Sequence, residues 1–224
     1  MRPLFGVLFR TRTEGRERVP ATGPVLLAAN HLSGWDTVLI PVACSRPVQF
    51  LTKQSLFVKR GPVGALMRWF FTSIGGVPVL RTAGHAAQAA LDAGSAILRA
   101  GSVFAVFPEG TRSRDGRLYQ GKSGAAWMAL ETGATVVPVG LVGTDTMRAF
   151  GWLRRGGARP HVRFGEPLDL TDVAQLPAGA ARRQATERIM AAIADLSGQE
   201  RVGVVNQTSH DASPTPTAPG SAVG

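Results

Sequence analysis

Short β-branched runs alternate with alanine- and leucine-rich stretches over most of this chain, and that alternation limits the folds open to it. Strands are expected over residues 25–29, 48–52, 77–80, 103–107, 135–141 and 161–164, several of them apolar throughout, as strands covered on both faces are. Helices are expected between them, over 36–44, 62–73, 85–100 and 123–132. A closing helix is expected over 180–196, with Pro177 before it and Gly198 after it. Strands and helices in this order imply an α/β fold with a largely parallel sheet, and ligands of such sheets gather at the carboxyl ends of the strands.

At 224 residues the chain holds one sizeable domain. With 44% hydrophobic and 18% charged residues it is not a largely disordered polymer. No apolar run reaches the ~18–20 residues that a membrane-spanning helix needs. A single cysteine, Cys44, excludes an intramolecular disulfide and a cysteine-built zinc site, and fits a reducing, cytosol-facing setting. Three parts are expected. Residues 1–24 carry an apolar patch (Leu4, Phe5, Val7, Leu8, Phe9) and then Arg10, Arg12, Arg16 and Arg18; the segment reads as a membrane-surface anchor or as a terminus packed on the domain. Residues 25–198 form the body. Residues 199–224, dominated by Ser, Thr, Pro, Ala and Gly, are expected to be a disordered tail outside the active domain. The net charge of +10 points to an anionic partner: nucleic acid, a phospholipid surface or a phosphorylated substrate. An arginine-rich bias can also reflect a GC-rich genome. With one tyrosine and no RNA-binding aromatic signature, nothing but net charge speaks for nucleic acid, and none is expected.

Three stretches carry chemistry. NHLSGWD, residues 30–36, leaves an expected strand and opens an expected helix. There His31 could take a proton from an alcohol, and Asp36 could fix its tautomer. Ser33 with Asp36 also fits an S-x-x-D capping box, so Asp36 is read as well as a plain helix-end acceptor. VFAVFPEGTRS, residues 103–113, delivers Glu109, Gly110, Thr111 and Arg112 to a strand end, where Arg112 offers a two-pronged donor for phosphate and a solvated turn is the alternative. GGVPVLR, residues 75–81, brings Arg81 to another strand end, and Lys53 follows a third. A fourth match, GRLYQGKS at residues 116–123, satisfies the phosphate-loop pattern. It starts some eight residues after its strand and carries bulky Leu118 and Tyr119, so a nucleotide loop is not expected. There is no G-x-S-x-G elbow, and His31, His85, His161 and His210 show no metal spacing.

Taken together, these stretches resemble the glycerolipid acyltransferases, especially bacterial 1-acylglycerol-3-phosphate acyltransferases. The family's N-H-x4-D block matches Asn30, His31 and Asp36, and its G-G-[VI]-x-[VI]-x-R block matches residues 75–81. Its F-P-E-G-[TS]-R-S block matches residues 107–113 in full, and V-[VI]-P-[VI] matches residues 136–139. The resemblance implies a mixed-sheet α/β domain with His31 as general base and Asp36 as its orienting partner. Glu109, Gly110, Thr111 and Arg112 would bind the acceptor phosphate, helped by Arg81 and Lys53, and Val137 and Pro138 would shape the acyl-donor side. It implies no metal and no cofactor, with acyl-coenzyme A or an acyl carrier protein thioester as co-substrate. The expected acceptor is a lysophospholipid, and the expected setting is peripheral, on an anionic membrane surface at the cytoplasmic face of the plasma membrane. Many members carry apolar helices before the first block, whereas here about 24 residues precede the first expected strand.

Overall fold

The computed structural model describes residues 11–54, 57–58, 61–79, 86–147 and 159–206. In chain order these form β1 (Arg12–Glu14), a 3-10 turn (Arg16–Arg18), β2 (Val25–Ala29), α1 (Asp36–Ala43), β3 (Val48–Lys53), α2 (Gly61–Ser73) and β4 (Gly76–Val79). Then come α3 (Ala86–Arg99), β5 (Val103–Val106), α4 (Gly124–Thr132), β6 (Thr135–Val142), β7 (His161–Phe164), α5 (Thr171–Ala174) and α6 (Ala178–Ser197). The seven strands make one sheet in the order β1-β7-β6-β2-β5-β3-β4. Strands β2 to β6 are mutually parallel, and β7 runs antiparallel to β6, which makes the sheet mixed as well as largely parallel.

Strand β2 shows why the sequence folds this way. All five of its residues are fully buried, because it lies between β5 and β6 and is covered on both faces. Val25, Leu27 and Ala29 pack with Leu39 and Ile40 of α1 on one side. Leu26 and Ala28 pack with Phe104, Leu98 of α3, Met128 of α4 and Ile189 and Ile193 of α6 on the other. Period-two alternation thus feeds two cores, and cutting either Leu26 or Leu27 to Ala would cost about 2–5 kcal/mol.

The two glycines of the GGVPVLR stretch have a packing cause. Gly75 has φ +90°, and a Cβ there would stand 1.9 Å from the Val48 carbonyl oxygen. Close approach of the α2–β4 turn to β3 lets Phe50 N–H donate to the Gly75 carbonyl at 3.0 Å.

Element bounds differ from expectation by no more than two residues, but three features are new. Strand β1, inside the segment read as an anchor or a packed terminus, pairs with β7. Its three polar residues offer no alternation to read, and its strand geometry comes from that pairing and from Arg12 N–H donating to Pro160 at 2.9 Å. Helix α5 is too short to leave a periodicity. The third is a correction: residues 199–206 are not disordered. Leu118 N–H donates to Glu200, Val202 N–H to Leu118 and Gln120 N–H to Val204, at 2.8–3.0 Å, so the chain docks beside the loop after β5. Residues 1–10, Leu80, Arg81 and the tail beyond Asn206 lie outside the described residues. Among the described residues no helix is long and apolar enough to cross a membrane, and no group of three or more His, Cys, Asp or Glu could hold a metal ion.

Candidate active site

Two turns meet at the carboxyl ends of the neighbouring strands β2 and β5. In the first, Asn30 continues the β2–β6 ladder with its side chain. Its Oδ1 accepts from Leu141 N–H at 2.7 Å and its Nδ2 donates to the Leu141 carbonyl at 2.9 Å. Next to it, Asp36 is fully buried at the start of α1, and its Oδ2 gathers three donors: His31 Nδ1 at 2.8 Å, Leu32 N–H at 2.7 Å and Ser33 N–H at 2.8 Å. Three N–H groups on one oxygen compensate the burial of its charge. The two sequence readings of Asp36 are therefore one arrangement, since the carboxylate that accepts from Ser33 at the helix start also orients His31.

With Nδ1–H donating to a carboxylate, the neutral His31 ring carries its lone pair on Nε2. The ring stacks on Phe107 with centroids 3.9 Å apart and planes 13° off parallel, and the side chain is 16% exposed, so a substrate can reach it. The tautomer, the plane and the access suit a general base.

The second turn begins where β5 ends. Gly110 N–H donates to the Phe107 carbonyl at 2.9 Å, and Gly110 sits at φ +74°, a conformation that only glycine adopts cheaply. The turn is tied to the first from both sides: Ser113 N–H donates to the His31 carbonyl at 2.8 Å, and His31 N–H donates to Glu109 Oε1 at 3.1 Å. Glu109 Oε2 accepts from Tyr119 N–H at 3.0 Å. Fully buried, Glu109 has its pKa pushed up by desolvation, and the N–H donors from Tyr119 and His31 oppose that rise. This corrects the expectation for Glu109. An inward carboxylate spent on two backbone donors does not meet a phosphate; it joins the two turns.

The cations behave differently. Arg112 is exposed, Thr111 lies half-buried beside it, and no acid pairs with the Arg112 guanidinium among the described residues. Lys122 lies across the turn, with Cε and Nζ 3.2 Å from where a Cβ on Gly110 would stand. The sequence shows Lys122 only as part of the phosphate-loop pattern, and the fold of the loop reveals its position. The same loop disposes of the phosphate-loop pattern. Backbone N–H groups of Leu118, Tyr119, Gln120 and Lys122 are spent on Glu200, Glu109, Val204 and Pro108, and the Leu118 side chain is in the core. No cradle of free amides remains for a nucleotide.

Gln199 is the other residue that sequence reasoning missed. Its Oε1 accepts from Asn30 Nδ2 at 2.6 Å, and its Nε2 donates to the Gly116 carbonyl at 2.7 Å. Asn206 Nδ2 donates to the Arg112 carbonyl at 3.2 Å. Nothing in a polar stretch after a helix-ending glycine signals such contacts.

Lys53 ends β3, two strands from β2 in the sheet, and Arg81 lies outside the described residues. Val137 and Pro138 are corrected: they pair with Leu27 and Ala28 in mid-sheet and are buried, Val137 in the core under α1. Leu27 precedes His31 by four residues, about 13 Å along an extended chain, so these two brace the sheet rather than line the groove.

Residues 10–142 match the family model described as Acyltransferase. The chain belongs to the Acyltransferase family. It is 31% identical over 144 residues to the chloroplastic 1-acyl-sn-glycerol-3-phosphate acyltransferase LPAT1 of Arabidopsis thaliana, covering 64% of this chain and 39% of that protein. It is 31% identical over 131 residues to a 1-acyl-sn-glycerol-3-phosphate acyltransferase of Borreliella burgdorferi, covering 58% of this chain and 50% of that one. The chain thus spans half or less of the length of these two relatives. In fold it is similar to the crystal structure of the 1-acyl-sn-glycerophosphate acyltransferase PlsC of Thermotoga maritima, with TM-score 0.59 and 24% identity over 83% of this chain and 71% of that one. Both turns lie inside the matched segment.

Proposed function

We propose that this member of the family transfers a fatty acyl group from an acyl thioester to the free hydroxyl of 1-acylglycerol 3-phosphate or a similar lysophospholipid, giving phosphatidic acid. The observation that carries the reading is the 2.8 Å contact from His31 Nδ1 to a buried Asp36, which leaves Nε2 as the acceptor on the open side of the ring. His31 Nε2 takes the hydroxyl proton as the acceptor oxygen attacks the thioester carbon. The tetrahedral intermediate then expels the thiolate, which recovers the proton from the imidazolium. Because the thioester is already activated, no covalent enzyme intermediate and no metal or cofactor is needed. The Asp36 carboxylate stabilises the imidazolium between the two steps. Arg112 and Lys122, both exposed at the second turn, would hold the acceptor phosphate, and a fixed acceptor supplies much of the rate advantage.

Acyl-coenzyme A and an acylated carrier protein both fit as donors. The reading includes a peripheral position at the cytoplasmic face of the plasma membrane, since such an acceptor resides in a bilayer. Radiolabelled acyl transfer to 1-acylglycerol 3-phosphate, run with each thioester on the wild type and on His31→Ala, tests it. Label in phosphatidic acid with the wild type alone is the expected result. Equal labelling by both proteins would refute the base assignment, and no labelling with any lysophospholipid would refute the function.

A further inference from the structure

Helix α2 is apolar nearly all round. Of its thirteen residues, GPVGALMRWFFTS, only Arg68 is charged. A helix of that composition belongs inside a core or against another apolar phase, yet α2 packs on β4, the last strand of the sheet. Gly64 is its one buried residue, while Val63, Leu66 and Trp69 remain 69%, 62% and 54% exposed on successive i+3 positions. They form an uncovered ridge, which an apolar cleft of about 220 Å³ extends, lined by Pro41, Val42, Trp69, Phe70 and Ile74 among others.

The stretch of sequence that holds this ridge carries charge of one sign. Residues 37–91, which include most of α1, all of β3, α2 and β4, and the start of α3, contain no Asp or Glu but six cations: Arg46, Lys53, Lys59, Arg60, Arg68 and Arg81. The opposite edge of the sheet looks equally basic in sequence but is built otherwise, since Arg12 pairs with Glu14 at 3.0 Å and Arg18 with Glu166 at 2.7 Å.

We propose that the α2 face seats the protein on an anionic phospholipid bilayer, with Val63, Leu66 and Trp69 entering the headgroup–acyl boundary and cations of the same acid-free stretch, Arg68 of α2 among them, meeting lipid phosphates. A bilayer fits both halves of the observation, an apolar ridge and an acid-free stretch that carries only cations. The choice of occupant rests on the acyltransferase reading, whose acceptor is an amphiphile. Flotation of the full chain with vesicles of phosphatidylglycerol and phosphatidylcholine in equal parts, against phosphatidylcholine alone, tests the proposal without any turnover.

The wild type should float with the anionic vesicles and lose binding as salt rises. Leu66→Glu/Trp69→Glu should lower binding at least about tenfold, whereas removal of residues 2–10 should change it less than about twofold. These side chains stand in water, so the thermal midpoint of the double variant should stay near that of the wild type; if it drops, Val63→Glu alone repeats the test. Equal vesicle binding by wild type and variant would overturn the proposal. So would a lipid-free dimer that the double variant breaks, or capture of an acidic carrier protein without vesicle binding. Flotation that succeeds while acyl transfer fails would sink only the proposed reaction, and the converse would sink only this face.

Discussion

The turns that leave β2 and β5 stand side by side, yet their charged groups are arranged on opposite plans. At residues 30–36 the chain fixes everything: Asn30 is pinned to Leu141 and Gln199, and Asp36 Oδ2 holds His31 with three donors. At residues 107–113 it fixes only the frame. Glu109 turns inward to clamp the backbone, while Arg112 and Lys122 stay exposed and carry no ion pair among the described residues. A base needs one tautomer in one orientation, because a ring that turns presents the wrong nitrogen. A phosphate ligand needs reach and charge, and long cationic side chains supply both without being set in advance.

The largest effect should come from breaking the fixed turn at its reactive atom. His31→Ala should lower turnover at least ~10²-fold, the lower end of general-base contributions, while the thermal midpoint falls only modestly, since the buried Asp36 Oδ2 keeps its two backbone donors from Leu32 and Ser33. Calorimetry beside turnover checks both halves, and a large fall in the midpoint would show that the ring is structural.

Asp36→Asn should come next, at roughly ten- to a hundred-fold in rate. It should also cost about 1–3 kcal/mol of stability, because Oδ1 has no partner among the described residues and an amide NH2 in that place would be a buried, unpaired donor. Loss of stability without loss of rate would reduce Asp36 to a helix-end acceptor.

The free cations should give smaller effects of another kind. Arg112→Lys keeps the charge and loses the fork, so the KM for the acceptor should rise about tenfold with kcat nearly kept. Lys122→Ala should raise the same KM less, because a point charge positions phosphate loosely. A fall in kcat at unchanged KM in either variant would erase the distinction between the two turns.

Much of this was legible in the sequence, and the gaps have physical causes. Buried strands such as β2 and β5 are apolar throughout and announce themselves, and the blocks at their ends carry polar residues in fixed order. Strand β1 and residues 199–206 went unread because their hydrogen bonds run to partners distant in sequence, Pro160, Leu118 and Asn30, and leave no local pattern. Glu109 was misplaced for a related reason: a motif gives the residue and not the direction of its side chain. Val137 and Pro138 lie in a motif block too, but their register with Leu27 and Ala28 sets them well below the groove.

The smallest effect concerns Glu109, the joint between the two turns, and it shows in stability against pH. Desolvation raises its pKa above the ordinary 4.5, so between that value and the raised one the folded chain holds a proton that the unfolded chain has released. Its contribution is therefore complete below pH 4.5 and lost as pH rises through the raised value. His161 tilts stability the other way: burial lowers its pKa from 6.5, so its contribution is lost as pH falls below 6.5 through the lowered value. Asp169 and Asp172, lowered by hydrogen bonds from Thr171 and Arg188, act below 3.8, outside the window. Two opposed slopes in one window hide each other in the wild type, and Glu109→Gln separates them. The amide oxygen can accept from His31 N–H or Tyr119 N–H but leaves the other facing an NH2, so the variant should be less stable throughout. Its curve should also lack the decline above pH 4.5, leaving the rise due to His161. Denaturant midpoints for both proteins across pH 4 to 7 give the difference curve; a deficit that stays constant over that range would mean that Glu109 does not titrate there and that its two N–H donors outweigh its burial.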